Sequence, residues 1–182
     1  MMDAAELLMH DHRMVEQLFR NYDAAASDAQ RRGVVDILIR ELSKHAALEE
    51  LMVYPLAAKV LPDGAREIDQ HLAEHATVKR LLLALDKVGQ DSERTHELMD
   101  QLQHEVVRHV QEEESELLPR LREHVDEQAL RELGEELAKR KHSAPTRPHP
   151  TAPTKPPALA LAAPVAAIYD RMRDRIQRRP QT

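Results

Sequence analysis

Two segments of the chain carry the same short pattern. HAALEELMVYP at 45–55 and HVQEEESELLP at 109–119 each place a Glu four residues after a His, a second Glu directly behind it, and a Pro ten residues after the His. In the same register, DHRMVEQLF at 11–19 aligns with EHATVKRLL at 74–82. The pattern His12…His45-x3-Glu49 therefore recurs as His75…His109-x3-Glu113. On a helix, residues i and i+4 share a face about one turn apart, so each His–Glu pair is a ready two-donor unit for a cation. A carboxylate turned alone into an apolar core costs several kcal/mol and is driven to neutralise. A divalent ion removes that cost by binding the ionised form. The duplicated set makes a metal site the expectation, and a metal-free polar core the alternative.

The other titratable residues sort against this frame. His71 stands four residues before His75 and shares its face, while the first half has Leu8 at the matching place. It reads either as a further nitrogen ligand or as a polar neighbour. His10 is two residues from His12 and so lies on another face. Glu50 and Glu114 are one residue out of register and read as solvated or as partners behind the ligands, unless a rotation of the helix swaps either in. His96, His104, His124, His142 and His149 have no matched counterparts and read as surface. Tyr54 is the one aromatic beside a ligand segment, and packing is its expected role.

The elements that must position these residues are helical. The 182 residues include only four Gly and four aromatics (Phe19, Tyr22, Tyr54 and Tyr169), so a core must come from Leu, Val, Ile, Ala and Met. This composition points to an all-α protein. The absence of Cys excludes disulfides, Fe–S clusters, thiolate zinc sites and cysteine nucleophiles, which leaves His and carboxylates to hold any metal. Apolar residues recur at helical spacing in four runs: Leu7 to Leu18, Val34 to Met52, Leu72 to Leu85 and Leu98 to Leu117. Short breaks separate them near Ala26–Arg31, Leu61–Gly64 and Gly89–Ser92; Pro62-Asp63-Gly64 is a turn signal and Asp91-Ser92 offers helix caps. The pattern predicts an up-down-up-down four-helix bundle over 1–125, with a short fifth helix at about Glu127–Lys141 inside 126–142. His12 and His45 lie at similar distances from the first loop and so come level across the hairpin; His75 and His109 come within about a turn of level.

Charge divides the chain. Residues 1–142 hold 19 Lys/Arg against 30 Asp/Glu, or −11, whereas residues 143–182 hold 7 against 2, or +5. An acidic body argues against nucleic acid as a partner. No run approaches the roughly 20 apolar residues of a membrane helix, and the acidic first residues do not read as a secretory signal, so the expected location is the cytoplasm. Seven of the eleven prolines fall in 144–164, which reads as an extended, disordered linker. In 165–182, Val165, Ile168, Met172 and Ile176 line up opposite Arg171, Arg173, Arg175, Arg178 and Arg179. That tail reads as a fraying, solvated end or as a basic amphipathic helix contacting a membrane surface or an acidic partner through residues 165–179.

Taken together, His12, His45-x3-Glu49-Glu50…Tyr54-Pro55, Glu74-His75 and His109-x3-Glu113-Glu114…Leu118-Pro119 resemble the hemerythrin family, in particular its bacterial branch of His-His-Glu cation-binding domains, over roughly residues 4–123. The resemblance implies a four-helix bundle around two non-haem iron ions, with zinc or manganese ranking behind iron. His12 and His45 would bind one iron, His75 and His109 the other, and Glu49 and Glu113 would bridge them. Oxygen carriers of this family have a further His four residues before the third-helix ligand, and His71 occupies that place. They also use an Asp five residues after the last His, whereas Glu113 stands at i+4, which points away from a pure oxygen carrier. Two six-coordinate metals need about twelve positions. Five His, two bridging carboxylates and a solvent-derived bridge fill about eleven, leaving about one for O2, NO or peroxide; without His71 about two stay open. The implied roles are binding, sensing or detoxifying such a small ligand. The competing reading is a metal-holding or iron-supply module without redox turnover, docked through its basic tail. No general acid–base pair or substrate-pocket motif is readable beyond the ligands.

Overall fold

The computed structural model describes residues 2–89, 92–154 and 158–176. The cap expected at Asp91-Ser92, and the side chains of Arg175, Ile176, Arg178 and Arg179, lie outside what is described. Among the described residues, eight α-helices follow one another: α1 (Ala4–Ala24), α2 (Asp28–Leu48), α3 (Tyr54–Val60), α4 (Gly64–Lys87), α5 (Ser92–Glu112), α6 (Leu118–His124), α7 (Glu127–Lys141) and α8 (Ala158–Ile176). No strand occurs among the described residues. The chain before α1 sets Asp3 as N-cap: its side chain accepts from the Glu6 amide at 2.7 Å, and Glu6 Oε2 accepts from the Asp3 amide at 3.0 Å, so two end donors are satisfied reciprocally. Ser27 and Asp126 cap α2 and α7 in the simpler way. Asp63, in the left-handed region at φ 59°, turns the chain into α4. A Cβ on Gly64 would sit 2.5 Å from the Ala57 carbonyl oxygen, which fixes Gly at that corner.

α2 runs into α3, and α5 into α6, through one π-helical turn each, Glu49–Val53 and Glu113–Leu117. The closing bonds span five residues, Tyr54 N–H to the Glu49 carbonyl and Leu118 N–H to the Glu113 carbonyl. Pro55 and Pro119 follow immediately. Proline has no N–H and its ring crowds the carbonyl four residues back, so the preceding turn widens. The extra residue in each turn begins at the Glu that the sequence pattern singles out.

The bundle interior has three layers. Leu8 and Leu72 belong with Leu48, Tyr54 and Leu117 in one buried apolar cluster. Val15, Leu42, Val78 and Val106 belong with Leu38, Leu82 and Leu102 in a second. Each long helix passes from one cluster to the other through its histidine, so His12, His45, His75 and His109 occupy a polar layer between two dry ones. α7 packs across α1 and α2. Gly134 allows that approach: a Cβ there would lie 2.6 Å from the Met2 carbonyl oxygen and 2.9 Å from the Ala4 nitrogen. Because backbone and not a flexible side chain is in the way, Gly134→Ala is expected to destabilise by about 1–3 kcal/mol, read as a lower urea midpoint at unchanged slope.

The Pro-rich stretch differs from the disordered linker that its composition implies. Residues 144–148 are buried. Arg147, 3% exposed, bonds Asp86 of α4 at 2.9 and 3.0 Å and Asp174 of α8 at 2.7 and 2.9 Å. The Thr146 and Arg147 amides both donate to Asp170 Oδ2 at 3.1 Å, the Thr146 hydroxyl donates to Asp174 at 2.7 Å, and His149, far from being a free surface residue, donates to Asp170 at 3.0 Å. Counting prolines misses this network because its partners are 21 to 61 residues away.

Candidate metal centre

The helical spacing delivers four imidazoles and two carboxylates to one place. His12 Nε2 and His45 Nε2 face each other at 3.2 Å, as do His75 Nε2 and His109 Nε2. Glu49 lies between the pairs, with Oε1 3.1 Å from His45 Nε2 and Oε2 3.3 Å from His75 Nε2. Glu113 Oε2 is 3.2 Å from His12 Nε2 and 3.9 Å from His109 Nε2. Both carboxylates are fully buried, and none of their four oxygens has a hydrogen-bond partner among the described residues. Donor atoms of His12, His45, Glu49 and Glu113 lie within 4.8 Å of one another, and those of Glu49, His75 and His109 do so as well.

The outer nitrogens decide what these atoms can be. His12 Nδ1–H donates to Glu114 at 2.8 Å, His75 Nδ1–H to Glu50 at 3.0 Å and His109 Nδ1–H to Glu74 at 2.9 Å. His45 Nδ1 stands 3.8 Å from Asp11. An ionised carboxylate only accepts, so each bonded ring carries its proton at Nδ1 and, when neutral, turns a bare Nε2 inward. The Nε2 atoms that face each other at 3.2 Å, beside carboxylate oxygens without hydrogen-bond partners, form a concave set dominated by acceptors, with the Tyr54 hydroxyl at its edge 3.0 Å from His75 Nε2. Such a set fits divalent cations, and the carboxylates behind the rings fix tautomer and orientation as in other His-ligated metal sites. Basic residues neutralise those carboxylates in turn: Arg13 on Glu114, Lys79 on Glu50, Arg108 on Glu74, and Lys141, from α7, on Asp11.

Without metal, protons take the place of the cations. Burial opposes a charged His75 ring, but Glu49 at 3.3 Å, the hydrogen bond to Glu50 and the charges of both outweigh it and raise the ring to about 9. Burial likewise opposes charge on His45, yet Glu49, Asp11 and Glu113 hold it well above its usual value of 6.5. Glu74 is lowered to about 2, chiefly by its hydrogen bond from His109. The stability contributed by His75 is complete below 6.5 and is lost as pH rises through about 9; that of Glu74 is complete above 4.5 and is lost as pH falls toward 2. In chelator, the thermal midpoint is therefore expected to peak between those limits and to decline above pH 6.5. Metal loading should flatten the alkaline limb, because the ions replace the protons.

Of the residues singled out in sequence, His12, His45, Glu49, His75, His109 and Glu113 converge. His71 is buried, with Nδ1 3.6 Å from Glu74 and its ring edge-on to His109 at 5.4 Å. It groups with Glu74 and His109 and not with Glu49. Glu50 and Glu114 turn inward behind the ligands, because the π-turns bring consecutive glutamates to the interior side; the prolines at 55 and 119 are the signal for that. Asp11 and Glu74 hold matching places directly before His12 and His75 in the repeat, the signal that could have found them, whereas Lys79 and Lys141 carry no pattern of their own. Tyr54 does more than pack: its O–H donates to His75 Nε2 at 3.0 Å, and burial together with Glu49 and Glu113 pushes its phenol well above 10. His10, His104, His124 and His142 are exposed, and His96 accepts from Tyr22 at 2.9 Å.

The model of the hemerythrin HHE cation binding domain matches residues 3–121. The chain belongs to this family. An uncharacterised hemerythrin-like protein of Schizosaccharomyces pombe is 28% identical over 179 residues, covering 97% of this chain and 87% of its own, so the similarity includes the tail. The crystal structure of a hemerythrin HHE cation binding domain-containing protein from Mycobacterium kansasii superposes with a TM-score of 0.68 at 27% identity, over 78% of this chain and 86% of that one. The two hairpins α1–α2 and α4–α5 each supply one His pair, the π-turn after each supplies one Glu that lies between the pairs, and the carboxylates behind the rings obey the same pseudo-two-fold. Lys141 falls outside the matched region, so α7 is an addition that reaches the centre through Asp11.

Proposed function

We propose that this hemerythrin-type chain holds two non-haem iron ions through His12, His45, His75, His109, Glu49 and Glu113, and that it binds, senses or detoxifies O2, NO or peroxide there. His71 is the candidate for a further nitrogen. The cytoplasm is the proposed location. The observation that supports a small ligand is a cavity of about 20 Å³ bounded by the four ring histidines and walled by Val15, Leu42, Val78 and Val106. That is room for a guest the size of water or a diatomic molecule. Iron bound there would supply an open coordination position and electrons to such a guest. The chain itself does the rest. Glu114, Glu50 and Glu74 keep the imidazole Nε2 atoms aimed inward. The valine and leucine wall excludes bulk water. Tyr54 holds a proton at Oη inside the polar layer, and Lys79 donates to Glu50 behind His75.

Metal analysis of anaerobically purified protein, followed by optical spectra on adding O2, NO and peroxide, tests this reading. Two irons per chain with ligand-dependent visible absorption are expected. Stoichiometric zinc with spectra indifferent to all three additions would instead make the domain a metal-holding module.

A further inference from the structure

α8 is docked the wrong way round for a helix that serves the core. Its face toward the bundle is Ala167, Asp170 and Asp174, 1%, 0% and 4% exposed, and the two acids are tied to Thr146, Arg147 and His149. Leu159, in its first turn, is buried, but the large apolar residues further along point away: Val165, Ile168, Tyr169 and Met172 are 69%, 61%, 64% and 59% exposed. They follow the i, i+3, i+4, i+7 spacing of a single stripe, and they make up most of the exposed large hydrophobics among the described residues. An apolar stripe of this kind on a soluble body marks an interaction surface.

Charge selects the partner. Both acids of α8 face inward, so among the described side chains the charged groups beside the stripe are Arg171, which also donates to the His142 carbonyl, and Arg173, which reaches Asp86 at 3.5 Å. Residues 143–182 carry +5 against −11 for the body. Two copies of this face laid together would set arginine against arginine. The stripe is also the convex side of one helix and offers no groove to a peptide. A convex apolar stripe with a mid-face tyrosine and arginine borders matches a helix lying in the headgroup region of an anionic bilayer.

We propose that the outward face of α8 is a docking surface for an anionic lipid membrane, held outward by the Arg147–Asp174 network. This inference does not depend on which metal the bundle binds. The test is co-sedimentation of the full-length, metal-loaded protein with vesicles of phosphatidylglycerol and phosphatidylcholine, against vesicles of phosphatidylcholine alone. Binding to the anionic vesicles only is expected, weakening as salt rises from about 0.1 to 0.5 M. Ile168→Ser with Met172→Ser should reduce the bound fraction roughly tenfold or more while leaving metal content and thermal midpoint unchanged, since both residues are exposed. Absence of preference for anionic vesicles, or full binding by the double variant, would overturn the proposal. So would a wild-type dimer that the double variant dissolves, which assigns the stripe to a second copy. Salt-sensitive binding to polyglutamate in place of vesicles would assign it to an acidic protein and overturn it equally.

Discussion

Glu113→Ala is expected to cost several times more stability with metal than without it. In the metal-free protein Glu113 is a fully buried carboxylate whose oxygens have no hydrogen-bond partner among the described residues. Its oxygens make no hydrogen bond to lose, but its charge helps hold the His45 ring protonated, so its removal in chelator is expected to cost about 1 kcal/mol or less below pH 6.5. In the metal-loaded protein the same residue is one of two carboxylates that reach both His pairs, at 3.2 Å from His12 and 3.9 Å from His109. Metal stabilises a fold by about 2.7 kcal/mol at a hundredfold excess over its dissociation constant and about 4.1 at a thousandfold. Losing a bridging donor should therefore remove about 3–4 kcal/mol from the loaded form and release at least one ion. Calorimetry with metal and with chelator reads both costs in one experiment. A drop of equal size in both conditions would mean that Glu113 is merely structural. His45→Ala and His109→Ala should behave like Glu113→Ala in the loaded form.

The second large effect belongs to Arg147. Breaking a buried ion pair from one side costs about 3–5 kcal/mol, because the partner is left charged and dry. Here Arg147→Met takes the main cation from Asp86 and Asp174, whose side chains are 2% and 5% exposed, and leaves Arg173 at 3.5 Å from the first and Arg40 at 3.8 Å from the second. The chain has an easier route. At about 0.05–0.15 kcal/mol per residue, a segment of roughly 40 residues holds about 2–6 kcal/mol of stability, which is comparable to the penalty. The expected outcome is therefore undocking of the tail in place of global unfolding. Trypsin should cut between α7 and α8 in the variant at concentrations that spare the wild type. Amide exchange should rise in α8 and stay unchanged in α2 and α5, with metal content retained. A single cooperative loss of the whole fold would show instead that the tail is integral to the bundle.

These two sites differ in how much of them the sequence reveals. The His–Glu repeat is legible because its information is local: four residues on a helix fix a shared face whatever lies around it. The fifth helix is legible for the same reason, with Asp126 as cap and apolar spacing from Leu130 to Leu137. The tail is not. Proline content describes what the backbone avoids, and Arg147, Asp170 and Asp174 mean nothing until α4 and α8 are side by side. The inward turn of Glu50 and Glu114 lies between these cases. It depends on a π-turn whose cause, Pro55 or Pro119, is local, but whose effect is visible only once helix faces are set against neighbours.

Sequence alone thus determined the all-α class, the two similar hairpins and the six residues that converge, because helix periodicity ties each to its own element. Tertiary structure decided what stands behind them. His12 meets Glu114 across 102 residues, His75 meets Glu50 from the other hairpin, Lys141 reaches Asp11 across 130, and Tyr54 finds His75. Such pairs are set by the angle and level at which separate helices pack. Those follow from how whole apolar faces interdigitate, and no short window of residues contains them.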